Sequence, residues 1–175
     1  VTTDHATGSV LVQKNGESFL LCGVQDGYSI NALNRFLQRC GNPRITVLVQ
    51  PAEQHNLSAE LRLAPLLEPK ILLCDEETAL LGEGQYPETV ELLPYRDTIR
   101  NILSDYTLYE LGGVGTILQF GTQKVLKCWT GYDIITAEDI PDDVTAVIDR
   151  TGNLWLRPDC SWRLYQSGNL TITLP

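Results

Sequence analysis

The chain of 175 residues is long enough for a single domain with a substantial hydrophobic core. Its 13 basic and 22 acidic residues leave a net charge of −9, which argues against a broad non-specific nucleic-acid surface, because such a surface needs clustered Lys and Arg. No run of about 18 apolar residues occurs, so no stretch is long and apolar enough for a transmembrane helix. Because the sequence begins at Val1 without a secretory signal or an initiator Met, we expect a domain excised from a longer protein.

The cysteine spacing indicates free thiols. The five cysteines are odd in number and widely spaced, most of them lie in apolar runs, and no CxxC pair occurs. They are Cys22, Cys40, Cys74, Cys128 and Cys160. We predict that they are buried and act as small hydrophobic side chains.

A β-hairpin is predicted near the start of the chain. Two apolar runs, at residues 9–13 and 18–22, flank the pair Asn15-Gly16. Asn-Gly between apolar runs is the strongest short hairpin signal, because a type I′ turn needs positive φ at both central residues.

A helix and a buried strand follow the hairpin. Ser29 can cap a helix whose apolar positions 30, 33, 37 and 40 share one face, and Gly41 is the expected left-handed residue after it. Residues 45–49 then form a buried strand, which Pro51 ends because proline has no N–H to donate. The loop leaving such a strand is a usual place for chemistry, so residues 52–56 are the first candidate site.

Next in the chain, a second helix is predicted from Ser58, with apolar positions Leu57, Leu61 and Leu66 and a break at Pro65. Residues 70–74 form a short buried strand, and residues 75–82 a short helix. The order hairpin, helix, strand, helix, strand indicates an α/β layer arrangement.

The second half of the chain is predicted to consist mostly of strands. The candidates are residues 89–93, 98–103, 106–111, 115–120, 124–129, 144–148, 153–157, 162–165 and 169–173, with a short helix near 134–140. The hairpin at residues 115–129 repeats the first hairpin: a leading glycine, a tight turn and a second strand ending at a Cys. Two such copies predict two packed sheets of similar make-up.

Four stretches, taken in order, carry a family resemblance. They are TDHATGSVLV with NG and FLLCG at residues 3–23, NALNRFLQRCG at 31–41, VGTILQFGTQKVLKCWTGY at 114–132 and LYQSGNLTI at 164–172. Together they resemble the C-terminal β-lactamase-like domain of ComEC-type DNA-internalisation competence proteins. The resemblance implies an α/β fold over residues 1–175: a reduced metallo-β-lactamase-like αββα sandwich of two mixed sheets with outer helices.

Most metal-ligand positions of that family are replaced in this chain. A binuclear zinc site needs converging imidazoles and carboxylates. The resemblance places Gln50 and Ala52 at ligand positions of the loop after the third strand, and Gln54 at the position of its Asp. His55 is the one loop residue that stands where a ligand should, and His5 is the only other histidine in the chain.

The later ligand positions are replaced as well. Cys22 stands at the acidic position that ends the second strand, and Tyr132 at the Asp of the family's T-G-D motif, with Asp133 one residue later. The resemblance therefore implies a domain with no catalytic residues, no bound metal and no other cofactor. Its vestigial site consists of Gln50, Glu53, Gln54, His55, Asn56, Tyr132 and Asp133.

Each site residue also has a plainer interpretation. His55 is an ordinary polar loop residue, Asp133 a turn residue after Gly131, and Glu53 lacks a paired acid or metal to tune it as a general base. The glycines of residues 112–115 could suggest a phosphate-binding loop, but no helix or Lys follows them, so we predict a tight start to a strand.

By resemblance, the chain would be a non-catalytic soluble domain of a membrane protein, on the extracellular face of the bacterial membrane. It would support DNA uptake by scaffolding or by interaction with the membrane channel part of the same protein, or with single-stranded DNA, although its acidity weakens the DNA contact. No small-molecule substrate is identified. Two alternatives stay open: a metal-dependent hydrolase or nuclease with a rearranged site near His55 and Asp133, and a free-standing binding module.

Overall fold

The computed structural model contains two β-sheets and one helix of 13 residues among the residues it describes. These are residues 2–4, 7–14, 16–22, 27–49, 63, 66–74, 91–94, 100–102, 106–111, 114–129, 140–157 and 163–166. No helix in this part of the chain has the length and apolar character needed to cross a membrane.

The first sheet is mixed and has six strands in sequence order. They are β1 Thr2–Thr3, β2 Val10–Lys14, β3 Glu17–Leu21, β4 Val47–Val49, β5 Ile71–Cys74 and β6 Glu91–Pro94. The first three strands are antiparallel neighbours, and β3 to β6 run parallel. Helix α1, Gly27–Arg39, connects β3 to β4.

The second sheet has seven strands in the order β13-β12-β11-β10-β9-β8-β7. They are β7 Arg100–Ile102, β8 Tyr106–Leu111, β9 Gly115–Phe120, β10 Gln123–Cys128, β11 Val144–Ile148, β12 Leu154–Leu156 and β13 Arg163–Gln166. Only the β10–β11 pair is parallel among these strands; the others are antiparallel. Strands β10 and β11 therefore end at the same edge of the sheet.

Alternating side chains divide the core into three clusters. In β2, Val10 and Val12 belong to the cluster between the sheets, which also holds Leu118, Trp129 and Ile148 of the second sheet. Leu11, between them in sequence, belongs to the cluster that packs under α1. A third cluster, with Ile117, Leu126, Cys128, Ile140 and Val147, lies on the other face of the second sheet. Burial on both faces explains why the strands read as continuous apolar runs.

The two predicted hairpins are confirmed, and each lies in a different sheet. The first turns at Gly16, with φ of 80°, and joins β2 to β3. The second turns at Gly121, with φ of 58°, and joins β9 to β10. The fold class is likewise confirmed: two mixed sheets with α1 packed on the outside of the first.

The helix ends as predicted but begins earlier. Gly41 has φ of 84° and donates its N–H to the carbonyl of Gln38, while the N–H of Asn42 reaches back to Leu37. These two bonds form a Schellman motif. The N-cap assignment of Ser29 is wrong, because the helix starts at Gly27 and Ser29 lies inside its first turn.

The described leucines near the predicted break at Pro65 differ in burial. Leu63 is fully buried against the α1 cluster, whereas the side chain of Leu66 is 50% exposed. Residues 51–62, which include Leu57, Ser58 and Leu61, lie outside the described residues, as do the predicted helix at 75–82 and the strand at 169–173.

Strand boundaries agree with the predictions to within about two residues, the usual uncertainty of such boundaries. Strand β6 begins at Glu91 rather than near residue 89 and ends at Pro94, the edge strand where a missing N–H is tolerated. Gly115 starts β9, as expected for the glycine-rich stretch. Of the predicted helix near 134–140, only Ile140 is described, and it is buried.

Candidate functional site

The predicted site residues lie outside the described residues, so their placement stays a prediction. They are Gln50, Glu53, Gln54, His55, Asn56, Tyr132 and Asp133. The strands that precede them are described. Strand β4 ends at Val49, immediately before Gln50. Strand β10 ends at Cys128, and Trp129 is the last described residue before Tyr132. The environment at these strand ends can therefore be built from its described residues.

Loops from both sheets meet at this end of the sandwich. In segment 4–9, which follows β1, the described residues 4 and 7–9 lie beside the carboxyl end of β3, and the segment 149–153 follows the carboxyl end of β11. The Thr3 hydroxyl donates a 3.3 Å hydrogen bond to the carbonyl of Gly152. Gly8, with φ of 65°, lies so close that a Cβ there would overlap the Arg150 carbonyl oxygen. We call these two segments together the loop end.

Cys22 occupies the position where the resemblance implies an acidic ligand. It is fully buried, and its N–H donates a 2.9 Å bond to the carbonyl of Val49. Its side chain belongs to the cluster with Leu33 and Phe36 of α1, not to the cluster between the sheets. The residue therefore packs as an apolar side chain on the helix side of its sheet, as predicted for the cysteines.

Asp4 is a buried carboxylate at the loop end, with 1% of its surface exposed. Its Oδ2 accepts bonds from the Thr7 N–H at 3.0 Å and the Thr7 hydroxyl at 2.7 Å. Its Oδ1 accepts a 3.0 Å bond from the Arg39 guanidinium at the end of α1. The carboxylate therefore links Thr7 to the carboxyl end of helix α1.

Lys127 is the unexpected residue of this end, because its whole side chain is buried in β10. Its Nζ contacts three backbone carbonyls: Asp149 at 2.6 Å, Cys128 at 3.1 Å and Arg150 at 3.4 Å. It also lies 4.7 Å from the centre of the Trp129 ring, a cation–π distance. The ammonium thus ties the end of β10 to the segment after β11.

Burial lowers the pKa of Lys127 to about 7, an effect that the neighbouring Cys128 and Asp149 partly offset. Burial also raises the pKa of the Cys128 thiol to about 12, so this cysteine is protonated at neutral pH.

Asp149 organises segment 149–153 through its carboxylate. Its Oδ1 accepts bonds from the N–H groups of Thr151 and Asn153, and its Oδ2 accepts bonds from the Asn153 amide and the Trp155 indole. Burial alone raises the pKa of Asp149, but the bonds from Trp155, Asn153 and Thr151 outweigh it, so the net shift is downward. The carboxylate is therefore charged and fully engaged at neutral pH.

Lys127 was not predicted from the sequence as a buried residue, although the alternation of side chains in β10 contained a signal. Alternation places Lys127 on the same face as Val125 and Trp129, both of which pack in the cluster between the sheets. A charged residue at an inward position of an apolar strand is unusual, because lysine is almost never fully buried without partners. Its partners come from segment 149–153, more than 20 residues later, and periodicity does not identify them.

Comparison with solved structures identifies the architecture. A crystal structure of the metallo-β-lactamase VMB-1 at pH 5.5 (Bis-Tris) superposes with a TM-score of 0.51 at 12% sequence identity. The match covers 83% of this chain and 77% of that one. The chain has a metallo-β-lactamase-like fold. No family model matches the sequence, and no curated protein matches it.

The described residues of this metallo-β-lactamase-like domain do not suit the binuclear metal centre that the fold family implies. No group of three His, Cys, Asp or Glu side chains converges among them. Both oxygens of Asp4 and of Asp149, the carboxylates of the loop end, accept internal hydrogen bonds, and the thiol of Cys22 lies in an apolar cluster. The carboxylates and the thiol described at this end therefore take part in internal hydrogen bonds or apolar packing.

Proposed function

We propose that this chain is a metal-free, non-catalytic metallo-β-lactamase-like domain of a ComEC-type competence protein. The observation that carries the proposal is the ordered set of four matching stretches together with the replaced ligand positions. Gln50, Ala52 and Gln54 hold such positions between the second and third stretches, and Tyr132 holds one at the end of the third. Amide, methyl and phenol side chains do not replace the imidazoles and carboxylates of a zinc site. The fold, which is that of VMB-1 in outline, supports the superfamily part of the proposal.

The described loop end supports the non-catalytic part of the proposal. A hydrolytic metal site needs carboxylates that are free to bind the ion. Here the Asp4 carboxylate binds Thr7 and Arg39. At the position where the resemblance implies an acidic ligand, the chain has the buried thiol of Cys22.

The role that follows is scaffolding or interaction during DNA uptake, on the extracellular side of a bacterial membrane. The partner would be the membrane channel part of the same protein. A net charge of −9 makes extended contact with single-stranded DNA the weaker option, because phosphate contacts depend on clustered basic residues.

Metal content tests the non-catalytic part directly. The chain, purified without chelator, is analysed for zinc and manganese by elemental mass spectrometry, alongside His55→Ala and the matched variant His5→Ala. We expect far less than one equivalent of either metal in all three proteins. One equivalent or more that is lost in His55→Ala and kept in His5→Ala would contradict the proposal and favour a hydrolase with a rearranged site.

The parent reading frame tests the ComEC part. A series of apolar segments of about 20 residues upstream of Val1 is expected, since a channel protein needs several transmembrane helices. A parent chain without such segments would contradict this part and favour a free-standing binding module.

A further inference from the structure

We infer that the exposed side of α1 is a short contact site for the phosphate backbone of a nucleic acid. The site rests on the interaction role proposed above and adds a second class of partner to the channel part. It consists of six exposed polar residues in α1 and in the turn that follows the helix, and we call it the basic face. These residues are Asn31, Arg35, Gln38, Arg39, Asn42 and Arg44.

The charge of this part of the chain is opposite to that of the whole protein. Between Asp26 and Glu53 the sequence contains three arginines and no acidic residue, which gives this stretch a charge of +3. The whole chain carries −9, so the rest of it carries −12. An anionic partner is therefore attracted to the basic face and repelled by the rest of the chain, which limits the contact to a few phosphates.

Helical periodicity gathers the side chains of the basic face on one side of α1. Asn31, Arg35 and Gln38 follow each other at spacings of four and three residues, and Arg39 lies one turn after Arg35. The opposite side of the helix, which includes Leu33, is buried in the α1 cluster. The polar groups therefore point away from the first sheet and are accessible to a partner.

The guanidinium groups of the basic face differ in their present contacts. Arg39 donates to the buried Asp4 carboxylate, which neutralises its charge but uses only one of its five N–H donors. Arg35 and Arg44 form no ion pair within the described part of the chain. Two uncompensated positive charges thus remain on the basic face, with Arg39 as a further hydrogen-bond donor.

The segment beside the start of β4 does not cancel these charges. The Lys70 N–H donates to the carbonyl of Thr46, two residues after Arg44, so segment 66–70 borders the basic face. Its two charged residues, Glu68 and Lys70, are both exposed and opposite in sign. Because the carboxyl end of a helix carries a partial negative charge, the attraction for an anion comes from the guanidinium groups and not from the helix dipole.

The composition of the basic face favours a nucleic acid over other anionic partners. Guanidinium and amide side chains are typical contacts of phosphates and base edges, and arginine can bind phosphate through two parallel N–H bonds. A helix that binds anionic lipid presents large apolar residues beside its basic ones, and a protein interface is centred on buried aromatic or aliphatic side chains. The six residues of the basic face include neither kind of apolar group.

Fluorescence anisotropy of the native chain with a labelled oligo(dT) of about ten nucleotides, in about 20 mM salt, tests the basic face. If two or three phosphates are contacted, the logarithm of the binding constant should fall with the logarithm of the salt concentration, with a slope of about −1.4 to −2.1. A duplex of the same length shows whether a single strand or a double helix is bound. Salt-dependent binding of either supports a contact with the phosphate backbone.

Single substitutions locate the contact. Arg35→Gln and Arg44→Gln should each weaken binding about three-fold or more and reduce the salt slope by about 0.7, because each removes one phosphate contact. The matched control is Arg163→Gln, which removes an exposed arginine from β13 of the second sheet and should change binding less than about two-fold. Unchanged thermal unfolding of the variants would show that the losses do not come from unfolding.

Three results would overturn the inference: no binding of either oligonucleotide, an equal loss in Arg163→Gln, or tighter binding to phosphatidylserine vesicles or polyglutamate than to the oligonucleotides. None of them bears on the metal content or on the parent reading frame. A failure of the basic face is therefore distinguishable from a failure of the proposed function.

Discussion

Gly8 and Gly16 have similar backbone conformations but different surroundings. Their φ angles are 65° and 80°, in the left-handed region that costs a residue with a Cβ about 1–2 kcal/mol. A Cβ at Gly16 meets nothing within 4 Å, whereas a Cβ at Gly8 overlaps the Arg150 carbonyl. The difference between the two positions is therefore tertiary contact.

Gly8→Ala should consequently destabilise the protein more than Gly16→Ala. We expect a loss of about 1 kcal/mol in the free energy of unfolding for Gly16→Ala, and of about 3 kcal/mol or more for Gly8→Ala, because backbone must move to remove the overlap. Urea unfolding measures both. Equal losses would show that segments 4–9 and 149–153 do not pack as closely as described.

Residues whose conformation is set locally were predictable from sequence, and residues set by distant contacts were not. Gly16 and Gly41 were identified because a hairpin turn and a helix end each demand positive φ from neighbouring residues. Gly8 and Lys127 depend on segment 149–153, which is far away in sequence. For the predicted site residues around His55, the roles came from the resemblance and not from local sequence pattern.

At the scale of elements, the phase of α1 was easier to predict than its start. Leu33 and Leu37 are buried as the spacing indicated, because a 3.6-residue period fixes which face meets the sheet. Ser29 gave the wrong start, since a serine is compatible with the first turn as well as with the cap position. The strands were found because apolar runs bounded by turn residues mark them directly.

Leu63 and Leu66 form a matched pair for testing which leucine near residue 65 packs in the core. Leu63 is fully buried, and Leu66 is 50% exposed. Leu63→Ala should lower the free energy of unfolding by about 2–5 kcal/mol through cavity formation, and Leu66→Ala by less than about 1 kcal/mol. Thermal or urea unfolding measures the difference. A larger loss for Leu66→Ala than for Leu63→Ala would show that Leu66, and not Leu63, packs in the core.

At the scale of the whole molecule, the number and pairing of the sheets came from the order of motifs, not from periodicity. Periodicity predicts strands but gives no strand order, and the parallel β10–β11 pair joins segments separated by residues 129–143. The two similar hairpins predicted two similar sheets, and the resemblance supplied their sandwich arrangement, which the likeness to VMB-1 confirms.

The buried charge of Lys127 also couples the stability of the whole domain to pH. Its pKa is about 7 in the folded protein and 10.5 in an exposed lysine. Between these values the unfolded chain binds more protons than the folded protein, so stability rises with pH. The contribution is complete above pH 10.5 and is lost as the pH falls through 7.

Lys127→Met should remove this pH dependence, because the variant has no group to titrate there. Relative to Lys127→Met, the native protein should gain about 2–3 kcal/mol in free energy of unfolding between pH 6 and pH 9, at about 1.4 kcal/mol for each pH unit above 7. Lys124 is paired with the exposed Asp143, so Lys124→Met should follow the native curve. Urea unfolding at four pH values measures the three proteins. Parallel curves for the native protein and Lys127→Met would mean that the ammonium is solvated, which would contradict the complete burial of its side chain.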